Sequence, residues 1–365
     1  MNKTQSLGET AIRTTDNHHH SRRNFLKYTA LGAAGLGLGL SGLENLVGAS
    51  IENTPLPVKK GRVVAVKSSG VMQNGKPEPD IVRKMVDEGM FALTGKKKTA
   101  DAWRTLFTPD DVVGIKINPL GGVKLTTKPE VVNAIIAGLV AAGVKENNII
   151  IWDRFSYHLI QAGYPLNKGS SGVRCYGTEP TAGYDKGVFY ESLDDDFNQR
   201  EEDGARSLFS SIVTKQATAI INVPVLKDHG IAGVTLCLKN LGFGVINNTK
   251  RFHPAPHFCD PASAEVCAHP ALRSKVRLHV ADALQACFDG GPAGMKAWTM
   301  WNEEQLLFGT DPVAMDRIGL ELIEKKRKDH NLPSIFQKAK HIATGERLGL
   351  GIFEKSNIEQ IAIAV

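Results

Sequence analysis

The chain has 365 residues, 42% of them hydrophobic and 22% charged, proportions that exclude a disordered or membrane-embedded protein. Its net charge of +6 is spread too thinly for a nucleic-acid face, and no nucleic-acid-binding motif occurs. Its five cysteines (Cys175, Cys237, Cys259, Cys267 and Cys287) are odd in number and lack any C-x-x-C, which excludes a disulfide framework and leaves no iron–sulfur or structural-zinc spacing. Cys259 and Cys267 either bridge in an oxidising compartment or are isolated small core residues.

In chain order, the first signal is Ser21-Arg-Arg-Asn-Phe-Leu-Lys27, which matches the twin-arginine export consensus at every fixed place. A stretch rich in Ala, Leu and Gly follows from Tyr28 to Leu46, too weakly apolar for a good transmembrane helix. Val47-Gly48-Ala49 fits a cleavage site, so residues 1–49 read as a signal segment handed to the twin-arginine translocase. The expectation is a periplasmic or otherwise extracytoplasmic protein with no stable span after cleavage. The alternatives are an uncleaved leader that anchors and a chance Arg pair before a buried helix. The leader holds five basic and three acidic residues, so the mature part carries about +4 by charge counting. His18, His19 and His20 leave with it and are not read as ligands. Export in the folded state suits a chain that takes up a metal or organic cofactor first, without saying which.

From residue 60 to 365, β-branched runs alternate with amphipathic patterns. Strands are predicted at 62–67, 112–117, 148–153, 217–223 and 277–282, and helices at 79–91, 128–142 and 311–326. Pro129 and Gly143 bracket the second helix, and Pro312 stands in the first turn of the third. This β-α-β order predicts an α/β fold: a three-layer sandwich around a mostly parallel sheet. Residues 165–205, rich in glycine, read as a lid-like excursion rather than a second domain. The acidic knot Asp194-Asp195-Asp196 within it reads as a solvated turn before it reads as a cation site.

Ligands of open α/β sheets sit at the carboxyl ends of strands. After the second strand, Lys116 and Asn118 alternate with Ile117 and so share a face, followed by Gly121 and Gly122. After the fourth come Lys227, Asp228 and His229, then Lys239 and Asn240, then Arg251, His253 and His257. Cations and amides converging on element ends suit a small anion such as a carboxylate or phosphate. Taken singly, each has a structural alternative, a solvated lysine or an asparagine capping a turn. His257, Cys259, Cys267 and His269 mix soft-metal ligand types without a known spacing. Asp282 ends a strand beside the turn Asp289-Gly-Gly-Pro292 and is the acid candidate; Asp311 reads as a helix cap, with Asp316 aimed toward the sheet end.

Together Gly114-Ile-Lys-Ile-Asn118, Pro224-Val-Leu-Lys227-Asp-His229, Gly233 through Asn240, His253, Asp282-Ala-Leu, Gly290-Gly-Pro292 and Thr310 through Asp316 resemble the bacterial family called domain of unknown function 362. The resemblance runs in order over about residues 60–350. It implies the α/β fold and, for exported members, a twin-arginine leader. Some relatives append ferredoxin-type cysteine motifs; this chain lacks them, so no iron–sulfur cluster is expected. The functional expectation is an exported enzyme on a small anionic substrate. Lys116, Asn118, Lys227, Lys239, Asn240 and Arg251 bind, His229 or His253 transfers a proton, and Asp282 orients a partner or a metal. The rival readings are a non-catalytic ligand- or cofactor-binding protein of the cell envelope and a metal-storage role for His257, Cys259, Cys267 and His269.

Overall fold

The computed structural model describes residues 61–192 and 206–365. The segment read as a signal and the acidic knot lie outside them. Among the described residues eleven strands make the frame, the two-residue strand Met300–Trp301 against the end of β8 and ten others: β1 (Gly61–Lys67), β2 (Val113–Ile117), β3 (Ile149–Trp152), β4 (Arg174–Cys175), β5 (Ala219–Val223), β6 (Val225–His229), β7 (Gly233–Thr235), β8 (Val276–Cys287), β9 (Gln305–Gly309) and β10 (Ile358–Ala364). Their order across the sheet is β10-β1-β9-β8-β5-β2-β3-β4, with β6 paired to the far part of β8 and β7 to β6. Pairing is parallel from β8 to β4 and between β10 and β1. Only β9 runs against both of its neighbours in the main row.

The central strands are buried throughout because each face meets helices. Ile149 and Ile151 of β3 belong to one apolar cluster and Ile150 and Trp152 to the other, and Ile221 and Ile220 of β5 divide in the same way. The first face is covered by α1 (Pro79–Thr94), α2 (Thr99–Arg104) and α3 (Pro129–Ala142). The second is covered by α5 (Cys237–Gly244), α6 (Ala262–Ala268), α7 (Pro312–Asp329) and α8 (Lys340–Arg347), while α4 (Ser156–Gln161) follows β3 at the rim. The fold is the expected three-layer α/β sandwich with a mostly parallel sheet. No helix of the described residues is long and apolar enough to cross a membrane.

Two glycines make the layers close. A Cβ on Gly138 of α3 would sit 2.2 Å from the Trp103 indole, and one on Gly242 of α5 would sit 2.6 Å from the Ser263 carbonyl. Each absence of a side chain lets a neighbouring element lie directly on the helix.

The glycine-rich segment expected as a lid contributes β4 to the sheet edge. Its residues Tyr184–Tyr190 pair antiparallel with Ser207–Ser210. All five cysteines are buried free thiols, Cys259 and Cys267 included, as small core residues should be.

Candidate functional site

β2, β3 and β5 end side by side, and their carboxyl ends carry the polar residues. Lys116 of β2 stands opposite Trp152 on β3 and Asn222 on β5. The alternation of the strand turns Lys116 toward the α5 face, since Ile115 and Ile117 point to the other. A cavity of about 260 Å³ opens here. Lys116, Asn118, Asp153, Lys227, His229, Lys239, Asn240 and His253 all line it. Seven of these eight were predicted from sequence, from stretches up to 137 positions apart.

Their roles differ. Lys116 is 1% exposed and its Nζ donates to Asp153 Oδ1 at 2.6 Å, to the Ile117 carbonyl at 2.8 Å and to Asn240 Oδ1 at 3.4 Å. Burial is the largest influence on the Asp153 carboxyl and would raise it, but the charge and hydrogen bond of Lys116, together with the nearby His158, outweigh it and hold the acid below its ordinary value. This lysine is therefore spent on the protein and corrects the expectation that it holds the ligand. Gly244 makes room for it, because a Cβ there would lie 2.3 Å from Lys116 Cε.

Lys227 is completely buried; Nζ donates to Asn118 Oδ1 at 2.8 Å and to the Leu120 carbonyl at 2.5 Å. These two acceptors use two of its three donors. Burial pushes this ammonium down to about 7. Lys239 packs its Nζ 3.6 Å from the centre of the Phe243 ring, and burial lowers it too. Among the described residues no carboxylate pairs with either Lys227 or Lys239. Buried cations are normally paired, so two without an acid leave the cavity short of negative charge.

The two histidines are held in opposite tautomers. His229 Nδ1 accepts from the backbone N–H groups of Ile231 at 3.3 Å and Ala232 at 3.0 Å, so the neutral ring carries its proton on Nε2. His253 Nδ1 lies 3.1 Å from the Thr249 carbonyl, which only accepts, so this ring carries its proton on Nδ1 and keeps a lone pair on Nε2. Burial, then the Lys239 charge, drives His229 far below its ordinary value and His253 down to about 4. Both are neutral at pH 7. The ring centres are 5.9 Å apart. One histidine thus offers an N–H and the other a base.

Behind them, Asp228 accepts from the backbone N–H of Gly291 at 2.7 Å and of Gly290 at 3.0 Å, fastening the Gly-Gly-Pro turn to β6, and Pro292 lines the cavity. Asp316 accepts from the N–H groups of Cys237 and Leu238 at 2.5 and 3.0 Å and so fixes the start of α5, the helix that carries Lys239 and Asn240. Asp311 caps α7, as its place before Pro312 predicts.

Three assignments are corrected. Asp282 does not reach the cavity: its carboxylate accepts from the N–H of Lys128 at 2.7 Å and of Leu284 at 3.0 Å, so it organises the entry to α3. Arg251 does not line the cavity either; it donates to Ser207 Oγ at 3.0 Å and stacks on Phe252. His257, Cys259, Cys267 and His269 do not form a metal centre, and among the described residues no group of three or more such side chains could hold a metal ion. His269 Nδ1 is taken by the Ala271 N–H, the Cys267 thiol donates to the Leu238 carbonyl, and Cys259 sits against Lys239. No described residue from 165 to 192 lines the cavity, in contrast to the lid expected there.

Sequence reasoning missed Asp153, Arg154, Phe155, His158 and Phe243. The strand-end rule that found Lys116 applies equally to Asp153, the polar residue closing the third predicted strand. Arg154 is committed to Glu179 at 3.2 Å, to Tyr184 and to Thr249. His158 Nδ1 stands 3.8 Å from Asp153, beyond hydrogen-bond reach.

A model of the family described as domain of unknown function 362 matches residues 113–321, more than half the chain and every cavity-lining residue named above. The chain belongs to this family. The match leaves β1, α1, α2, α8 and β10 outside it. No curated protein matches the chain. Among solved structures it is similar to a crystal structure of a protein from Thermotoga maritima, a structural-genomics target, at 8% identity and a TM-score of 0.37. That likeness covers 73% of this chain and 59% of the other, so this DUF362 chain spans less than two thirds of that structure.

Proposed function

We propose that this DUF362 protein is an exported enzyme acting on a small anionic substrate held at the lysine cavity. The observation that carries the reading is the pair Lys227 and Lys239, both buried and both without a carboxylate partner among the described residues, beside a cavity at the strand ends. An anion supplies the charge they lack, and a third N–H of Lys227 remains to meet it. His253 Nε2 takes a proton from the bound substrate. His229 Nε2–H, with the two ammonium groups, stabilises the negative charge that develops. The donor set favours an anion over a metal cation: among the described residues the one carboxylate facing the cavity is Asp153, engaged by Lys116. Export by the twin-arginine route rests on the Ser21–Lys27 motif and assigns the reaction to the periplasm or beyond.

The test is calorimetric titration of the full-length protein with sulfate at pH 6.5, beside mass spectrometry of small acids that co-purify. Sulfate binding weakened at least tenfold in a folded Lys239→Gln variant is the expected result, with turnover of the co-purified acid lost in His253→Gln. Absence of sulfate binding in the wild type would refute the reading. Binding of that acid without turnover would leave a binding protein of the envelope and end the enzyme reading.

A further inference from the structure

The mouth of the cavity is apolar on one side. Leu120 and Phe155 line the cavity itself. Close by in the chain are exposed Val123, in the short turn after β2, and exposed Tyr157 and Ile160, three residues apart on one side of α4. The turn after β2 meets the end of α4: a Cβ on Gly122 would lie 3.7 Å from the Gln161 carbonyl and one on Gly163 3.7 Å from Val123 Cγ1, while the Tyr157 ring packs 5.3 Å from that of Phe155, which lines the cavity. Leu120, Val123, Tyr157 and Ile160 are 42%, 67%, 52% and 58% exposed, and they are half of the large hydrophobic side chains left exposed among the described residues. Scattered singly such residues mean little, but a group at the mouth of a cationic cavity has a use. Neither 120–124 nor 156–161 contains an acid.

We infer that the ligand is an amphiphilic acid, a single molecule whose anionic head enters between Lys227 and Lys239 and whose hydrocarbon or aromatic remainder lies along Leu120, Val123, Tyr157 and Ile160. The inference rests on the anionic-substrate reading and narrows it. Size supports it: about 260 Å³ is below the range for cavities that enclose a whole drug-sized ligand, so the cavity holds a head group and the rest of the molecule lies outside. Depth selects one molecule over a membrane surface. Lys227 and Lys239 are buried below the rim, out of reach of a head group that stays in a bilayer, and Lys124 is the one exposed cation on the two rim segments. The Leu120 carbonyl accepts from Lys227, so the rim and the anion site are held in one register.

The probes are acetate, hexanoate and decanoate, titrated calorimetrically into the full-length protein at pH 6.5. A fully buried methylene contributes roughly three- to fourfold in affinity. On a half-exposed rim, hexanoate should bind at least about tenfold more tightly than acetate, with decanoate tighter still. A Val123→Ser/Ile160→Ser double variant, which removes apolar surface without adding charge, should flatten the ratio of hexanoate to acetate affinity. Acetate binding with no dependence on chain length would overturn this inference and leave the anion site standing. If neither acetate nor sulfate bound, both readings would fall. A gain confined to micellar decanoate, or flotation on phosphatidylglycerol vesicles unchanged by Lys239→Gln, would identify the rim as a membrane surface and overturn the inference as well.

Discussion

Lys227 shows how one side chain sets the chemistry of the cavity. Out of water its ammonium is costly, and with no acid beside it the charged form loses stability until its value falls to about 7. The sign for anion binding follows from that direction. Below about pH 7 the group is charged and attracts an anion; as pH rises through 7 the charge is lost and so is the attraction. Sulfate, which does not titrate in this range, should therefore bind about tenfold more weakly at pH 8.5 than at pH 6. Lys227→Met should bind weakly at both, with the slope gone. An unchanged slope in that variant would assign the titration elsewhere. The histidines give no comparable slope above pH 5, because burial keeps both rings neutral there.

Among elements, strands and long helices were legible and the short connectors were not. The helix read over 128–142 forms at Pro129–Ala142, with Gly143 in the left-handed conformation at its end, because proline and glycine at those two places act locally. The strand read over 277–282 runs on to Cys287, since its later half leaves the main row to pair with β6. That pairing is non-local, and nothing in the periodicity of 283–287 announces it. Likewise Val225–His229 lies outside the predicted strands and is a strand. Its hydrogen bonds come from β7 and β8, which a reading of neighbours along the chain cannot supply. Asp282 failed for the same reason: a strand-end acid beside a glycine turn looks catalytic until α3 is seen to begin against it. Asp282→Asn should lower stability by about 1 kcal/mol, the usual scale for a helix-start contact, in urea unfolding while sulfate affinity changes less than twofold. A tenfold fall in sulfate affinity would return Asp282 to the site. The cavity lysines and histidines were legible because they end elements, where a polar residue has few structural uses.

For the whole molecule, the matched region and the folding unit differ in extent. Residues 57–365 form one compact unit, whereas the family match covers 113–321. Outside the match, Trp103 fills the groove that Gly138 leaves on α3, and β1 and β10 extend the sheet beyond β9. A fragment of 113–321 keeps every cavity residue yet exposes the seat of Trp103 and the edge of β9. It should bind a hydrophobic dye and unfold without a cooperative step, while the full chain unfolds cooperatively by calorimetry. Cooperative unfolding of the fragment would show that the flanks are dispensable. Lys116 carries a last consequence at this scale. Standing on β2 and reaching Asp153 after β3 and Asn240 on α5, it is a tripod joining three walls of the cavity. Its length sets the gauge of the entrance, and Gly244 sets how far it can lean. A lone methyl at position 244 would press on Lys116 and so shift the spacing of the walls it braces.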